Sequence, residues 1–405
     1  MRRFAGVSML KAFQRAPALS ISRPSQNVGE RIPESLQCLA LVTDAFGGSG
    51  GIAQYNRDLL TALAGSRVFV SISVLARSAD KRIDAPAGIV QWLPRGKKPG
   101  YALAALWLML AQRPQVVICG HINLMPLALA VARLSKAKLI VQMHGTEAWP
   151  RPSALRRIGV EAADFVLCVS RFTRATVLSW AALPPERVVV VPNTVGENFA
   201  PGDDNALREQ LGLTDKRVLL TVARMDGRER YKGHDRVIAA IPRLIAEGHD
   251  VVYVVVGKGD DQARLSSLAA ASGVTERVIF LGEVAPQRSR DAYRMADLFV
   301  MPSTGEGFGI GFLEAMASGT PALGLNAAGA VDALADGELG TLTSEHDMVA
   351  EVSRLLARSK SDSVAAAALA AAAHARFGRR AFATNVKAAI LRLFPRQPHS
   401  MRSQN

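Results

Sequence analysis

Short apolar runs alternate with longer stretches of helical periodicity along most of the chain. Residues 38–44 (CLALVTD) read as a buried strand ending on a polar residue, followed by a glycine loop, GGSGG at 47–51, and a helix over 52–64. Further β-branched or apolar runs at 68–75, 116–119, 139–143, 165–169 and 188–191 predict strands, with helices near 101–111, 122–134, 152–163 and 171–182 between them. The loop PNTVGENFAPGDD at 192–204 breaks the series. The pattern then restarts, with strands at 218–222, 251–256, 278–281, 298–301 and 322–325 and helices at 235–247, 262–271, 290–295 and from 312. An alanine-rich helix at 364–375 and an amphipathic helix at 381–394 follow. Fully apolar strands alternating with helices predict a parallel sheet covered on both faces. Two such units in succession predict a cleft between them, with ligands beyond the carboxyl ends of the strands.

Composition adds bounds. With 405 residues, 49% of them hydrophobic, each unit can bury a core of its own. Cys38, Cys119 and Cys168 are odd in number, far apart and set in apolar runs. They predict small buried side chains in a reducing compartment rather than a disulfide framework or a zinc site. No apolar run approaches the ~18 residues of a membrane-spanning helix. The net charge of +14 is unevenly spread: residues 1–198 hold 24 Lys/Arg against 11 Asp/Glu, and residues 199–405 hold 25 against 24. A basic first half suits an anionic substrate or surface. A nucleic-acid-binding module is a rival use of that charge, disfavoured because neither a recognition helix nor an aromatic platform is evident. Residues 1–37 are expected to form a partly disordered basic extension, and residues 396–405 a disordered tail.

The chemistry concentrates at strand ends. The loop at 47–51 is not a G-x-G-x-x-G fingerprint, and Ala76 and Arg77 stand where a nicotinamide site wants an acid after the second strand. His144, in QMHGTE, leaves a strand toward the cleft mouth, and His121, in CGHIN, does the same. No third ligand stands at a metal-binding spacing, so no metal is assigned. In RMDGRERYKG, Arg224 and Lys232 suit a diphosphate, the one as a planar fork and the other as a mobile point charge. In PSTGEGFGIGFLEAMASGTP at 302–321, Glu306 sits on a glycine-studded loop and Glu314 on the helix that follows. Such carboxylates accept hydrogen bonds from sugar and ribose hydroxyls. A glycosidase pair is the rival reading, but it gives Arg224 and Lys232 no task.

Taken in order, these elements resemble the family 4 retaining glycosyltransferases, known also as glycosyl transferases group 1. The E-x7-E pair is Glu306 and Glu314, the R…KG element is Arg224, Lys232 and Gly233, and the glycine loop, His144 and Pro192-Asn193 complete the likeness over roughly residues 38–395. The resemblance implies an α/β protein of the GT-B fold. Two Rossmann-like domains, an acceptor domain over 38–198 and a nucleotide-sugar domain over 199–380, would face each other across a cleft. A helix at 381–395 would cross back to the first domain. It implies no cofactor, only a GDP- or UDP-linked sugar as donor. Arg224 and Lys232 would hold the diphosphate, Glu314 the ribose and Glu306 the transferred sugar near the reacting centre. The backbone at Phe308, Gly309 and Ile310 would meet diphosphate or sugar, with Gly50 and Gly51 near the phosphate and acceptor. His144 would touch a donor hydroxyl, and the backbone at Glu283 and Val284 would meet the base.

The resemblance implies a hexosyltransferase of surface polysaccharide synthesis, with GDP-mannose as the leading donor. A glycan or polyprenyl-diphosphate-linked acceptor and peripheral contact with the inner face of an anionic membrane fit that reading. A soluble acceptor stays open. Two departures from the family pattern stand out. The spacing from Arg224 to Lys232 is long and carries a charged RER insert, and Gly145 rather than Asp follows His144.

Overall fold

The computed structural model describes residues 36–48, 50–78, 85–94, 98–202, 205–357 and 363–394. The basic extension up to residue 35 and the tail from 396 onward lie outside the described residues, as does Ser49 of the glycine loop. Leu36 and Gln37, assigned above to the extension, instead open the first strand.

The first sheet has seven parallel strands: β1 (Leu36–Val42), β2 (Phe69–Ala76), β3 (Ile89–Trp92), β4 (Val116–Cys119), β5 (Lys138–Met143), β6 (Phe165–Cys168) and β7 (Val188–Val190), in the order β3-β2-β1-β4-β5-β6-β7. The second has six: β8 (Arg217–Val222), β9 (Val251–Val256), β10 (Val278–Gly282), β11 (Leu298–Met301), β12 (Ala322–Leu325) and β13 (Thr341–Thr343), in the order β10-β9-β8-β11-β12-β13. In both orders the chain starts inside the sheet, winds to one edge and returns to build the other. That reversal leaves a crevice beside β1 and β8 at the carboxyl ends of the strands. Both sheets carry helices on their two faces, as the apolar strands require. β3 and β13 were not expected from the sequence. Both are edge strands of three or four residues, and an edge strand needs no fully apolar run.

The three cysteines are free and buried, and burial pushes all their thiols up, that of Cys119 to about 12. They pack as small apolar groups. Among the described residues no helix is long and apolar enough to cross a membrane.

The helix Arg379–Leu391 returns to the first domain and packs on the helix Gly51–Gly65. Phe382 meets Tyr55 edge to face, with centroids 5.9 Å apart. Just before it, the Phe377 carbonyl accepts from both Thr194 Oγ1 (2.7 Å) and the Val195 amide (3.0 Å), and Val195 pairs with Gly378 in a short parallel bridge. Beyond it, Arg392 donates to the Glu186 carbonyl at 2.9 Å. The two Rossmann-like sheets, their facing cleft and the returning helix make the GT-B architecture.

Candidate functional site

Two loops of the second domain form one wall of the cleft. The chain leaves β8 through Arg224, makes a tight turn over Arg230–Lys232 and enters the helix His234–Ala246 at Gly233. Gly233 has φ 81°, and a Cβ there would stand 2.5 Å from the Pro302 carbonyl oxygen. The turn can therefore lie against the loop that leaves β11 only because position 233 carries no side chain. Thr304 N–H donates to Tyr231 O at 2.9 Å and binds the two loops together. Lys232 Nζ then reaches Glu306 Oε1 at 2.8 Å, with the two side chains only 14% and 10% exposed. Poor hydration makes each group dependent on the other's charge.

Arg224 does not join that pair. Its guanidinium is largely exposed and is held by Glu229 Oε1 at 2.5 Å. The charged insert therefore has a job: it supplies the carboxylate that orients Arg224. Arg228 is paired with Asp226 and Arg230 with Asp261, so the other two cations of the loop have partners of their own.

Glu306 and Glu314 have different surroundings. Gly309, with φ 101°, starts the helix Ile310–Ala317, and Glu314 lies about one turn in. The Tyr293 hydroxyl, itself fully buried, donates to Glu314 Oε2 at 2.7 Å. Burial raises the Glu314 carboxyl from its ordinary 4.5 to about 7, and the Tyr293 hydrogen bond opposes this only in part. Glu314 is thus not the standing carboxylate that its motif suggests, but a group divided between its two protonation states near neutral pH. Because the folded chain favours the neutral acid, the contribution to stability is full below pH 4.5 and is lost as pH rises through about 7. Glu314→Gln is expected to gain stability over the parent at pH 8, on the order of 1–2 kcal/mol, and little at pH 4. Thermal unfolding at the two pH values measures this, and an equal effect at both contradicts it.

Phe308 is buried against Phe377, with ring centroids 5.9 Å apart, so only its backbone is offered to the cleft. Glu283 is exposed and ion-paired with Lys258. It and the half-buried Val284 follow β10 at the outer edge of the sheet, away from the Lys232–Glu306 pair in sheet order.

The first domain supplies the opposite wall. Gly50, with φ 88°, precedes the helix that Gly51 opens, and a Cβ at Gly51 would stand 3.7 Å from Ile310 Cδ1. His144 follows β5. Its Nε2 is 3.0 Å from the Gly120 carbonyl oxygen, which fixes a proton on that nitrogen, and its ring meets Tyr55 edge to face at 5.2 Å. Glu147 Oε1 accepts from the amides of both His144 and Gly145. His121 instead accepts from the Asn123 amide at 3.0 Å and caps a short turn, so its task there is structural. Among the described residues no group of His, Cys, Asp and Glu could hold a metal ion.

The walls touch at two glycines. A Cβ on Gly145 would stand 2.5 Å from Gly307 Cα, and one on Gly307 would stand 2.0 Å from the His144 carbonyl oxygen. Gly145 also has φ 139°. The absence of Asp after His144 therefore has a steric cause: any side chain at 145 collides with the loop that carries Glu306. Around this contact, Trp149 packs on Tyr231 (5.7 Å) and Phe172 (6.1 Å). Arg171 reaches across to Asp332 (2.9 Å) and Asp336 (2.6 Å). Arg171→Ala is expected to shift the chain toward open forms, with a larger radius of gyration in solution scattering and a stability loss of about 1 kcal/mol.

Sequence reasoning placed Lys232 and Glu306, Gly51 and Ile310, and His144 with the Glu306 loop in one cleft, and the geometry brings each of these together. It missed Tyr293, Glu147, Glu229 and the Arg171 latch. Glu147 carried a signal, since an acid three residues after His144 has capping spacing. Tyr293 carried none, because its role depends on which helix covers it.

Residues 203–376 match the family described as glycosyl transferases group 1, and residues 49–198 match glycosyltransferase family 4. With its two facing sheets and returning helix, the chain is a GT-B fold protein related to both families. It is similar to the GDP-mannose-dependent alpha-(1-6)-phosphatidylinositol monomannoside mannosyltransferase of Mycolicibacterium smegmatis, with 35% identity over 55% of this chain and 62% of that protein. It is also similar to the GDP-mannose-dependent monoacylated alpha-(1-6)-phosphatidylinositol monomannoside mannosyltransferase of Corynebacterium glutamicum, with 28% identity over 84% of this chain and 93% of that one. The chain spans 46–62% of the length of the first three curated relatives it matches. Among solved structures, Anabaena HepE in complex with UDP shares the fold, with a TM-score of 0.72 at 19% identity over 88% of this chain and 100% of that chain.

Proposed function

We propose that the protein transfers a hexose from a nucleoside diphosphate sugar, with retention of anomeric configuration. The acceptor is a glycan or polyprenyl-diphosphate-linked sugar of bacterial surface polysaccharide, met at the inner face of the cell membrane. The single observation that carries this reading is the nearly buried Lys232–Glu306 pair where the two domains touch. A cation and a carboxylate held together there can separate onto two parts of one substrate, the cation onto a diphosphate and the carboxylate onto the sugar hydroxyls. Arg224, oriented by Glu229, adds a second cation on the same loop.

In the step itself, an acceptor hydroxyl oxygen bonds to the anomeric carbon while the bond from that carbon to the diphosphate oxygen breaks. The hydroxyl proton passes to a donor phosphate oxygen on the same face, and the nucleoside diphosphate leaves. Lys232 and Arg224 neutralise the charge that grows on the leaving group, which is where fixed cations lower a barrier most. Glu306 holds the sugar hydroxyls, His144 a further hydroxyl, and Glu314 the ribose. The backbone of Phe308 to Ile310 and the Gly50-Gly51 turn close over the diphosphate, and the chain near Glu283 and Val284 meets the base.

GDP-mannose is the leading donor, supported by the names of the two mannosyltransferase relatives. Calorimetric titration with GDP-mannose, UDP-glucose and UDP-galactose, then transfer to a bacterial lipid extract, tests the reading. Saturable binding of one donor and a labelled lipid product are expected, and binding of none defeats the proposal. Ribose hydroxyls donate to an ionised carboxylate, so donor binding is expected to expel the proton from Glu314 and to tighten between pH 6 and 8. The heat of binding at pH 7 then varies with the ionisation enthalpy of the buffer. A buffer-independent heat removes Glu314 from the donor site.

A further inference from the structure

The helix Lys98–Gln112 has no charged residue after Lys98, and both of its faces are apolar. Tyr101, Ala105, Leu108 and Met109 are buried against the first sheet. Leu103, Trp107 and Leu110, spaced four and three residues apart on one other face, are 67%, 56% and 72% exposed. A helix that is apolar all round is normally buried all round, so among the described residues this outer face lacks its partner. The neighbouring edge strand extends it: Trp92, also exposed, meets Trp107 edge to face at 5.5 Å, and the exposed Leu93 follows.

The stretch of chain that carries this face has charge of one sign. From residue 85 to residue 146 the sequence holds seven Lys/Arg and no Asp or Glu. Lys98 at the start of the helix, Arg113 just after it, and Arg77 after β2 are all exposed. The face also has a definite place relative to the cleft. Tyr101 OH donates to Leu75 O at 2.9 Å and to Val42 O at 3.2 Å, at the carboxyl ends of β2 and β1. The first turn of the helix therefore lies at the cleft end of the first domain.

We infer that Trp92, Leu93, Leu103, Trp107 and Leu110 form a docking face for an anionic phospholipid bilayer, entered by the apolar side chains and held by the surrounding cations. Exposed tryptophans next to leucines and cations match the polarity profile of a lipid interface, apolar inside and wet at the rim. A soluble partner protein needs some acidic complement, which an anionic headgroup layer supplies without a specific sequence. The inference rests on the lipid-linked acceptor proposed above, because it sets the cleft mouth beside the surface where such an acceptor resides.

The test uses the full chain and vesicles of phosphatidylcholine with or without phosphatidylglycerol. Binding is expected with the anionic vesicles at low salt, and about tenfold less with pure phosphatidylcholine. The triple variant L103S/W107S/L110S is expected to partition about tenfold less or weaker still. Should it fail to fold, Leu110→Ser alone and quenching of tryptophan fluorescence by brominated lipid give the same answer, with the quenching lost in W92F/W107F. Unchanged partition of the folded variants overturns the inference. So does a dimer that the triple variant dissociates while vesicles are ignored, since a second copy then covers the face. Donor binding is measured in parallel. A parent that binds donor but not anionic vesicles sinks the docking face alone, whereas a parent that binds no donor sinks the transferase reading.

Discussion

Lys232→Ala is expected to lower kcat/KM for transfer by about 10²–10³, through two effects that can be separated. The first is the loss of a fixed cation beside the leaving diphosphate. The second is a Glu306 carboxylate left with little hydration and no partner, since only 10% of its side chain reaches solvent. Removing one member of a poorly hydrated pair costs about 3 kcal/mol, most of it from the charge left behind. K232A/E306Q removes that charge. Its melting temperature is therefore expected to recover most of the loss, while its activity stays as low as that of Lys232→Ala or falls further. Steady-state kinetics and thermal unfolding of the parent, the two single variants and the double variant decide the matter. If activity returns together with stability, Lys232 supports the fold of the loop and does not act on the substrate.

Gly145→Ala is expected to lower turnover about 100-fold while changing donor affinity by no more than about threefold. The added Cβ meets backbone, Gly307 Cα at 2.5 Å, and so has no flexible side chain to push aside. A φ of 139° adds local strain. The easiest relief is to part the two walls by an ångström or more. In the proposed mechanism the second domain supplies most of the donor contacts, Lys232, Arg224, Glu306 and Glu314 among them, whereas the first must bring the acceptor within bonding distance. Separated walls therefore slow the reaction without releasing the donor. Gly307→Ala should act in the same way, because its Cβ would strike the His144 carbonyl oxygen at 2.0 Å. Equal losses of donor affinity and turnover in both variants would instead mean that the glycine contact shapes the donor pocket itself.

What the sequence could reveal here followed from period and position. Buried strands such as Val251–Val256 announced themselves as unbroken β-branched runs, and the glycine and charge pattern after β8 and β11 marked those strand ends as chemical. The short edges Ile89–Trp92 and Thr341–Thr343 escaped, since they share one flank with solvent and carry no continuous apolar signature. Pairings across distance escaped too. Nothing in the spacing of Arg171 and Asp332, 161 residues apart, shows that they meet, and the Tyr293 hydroxyl finds Glu314 only through packing of the helices Pro286–Met295 and Ile310–Ala317. The same limit hid the state of Glu314. A motif specifies a carboxyl group, while its proton depends on how much water the fold leaves around it.

The returning helix has a mechanical consequence. The chain passes between the domains twice, once around Val195 and once at Gly378, and the two passes lie side by side in a parallel bridge under a shared carbonyl, that of Phe377. Two tethers at one place act as a pivot, whereas two tethers far apart would act as a brace. Rotation about this place leaves the bridge intact, whereas translation of one domain past the other would break it. The Arg171 latch and the Gly145–Gly307 contact join the two domains elsewhere, so a rotation about the bridge has to part them.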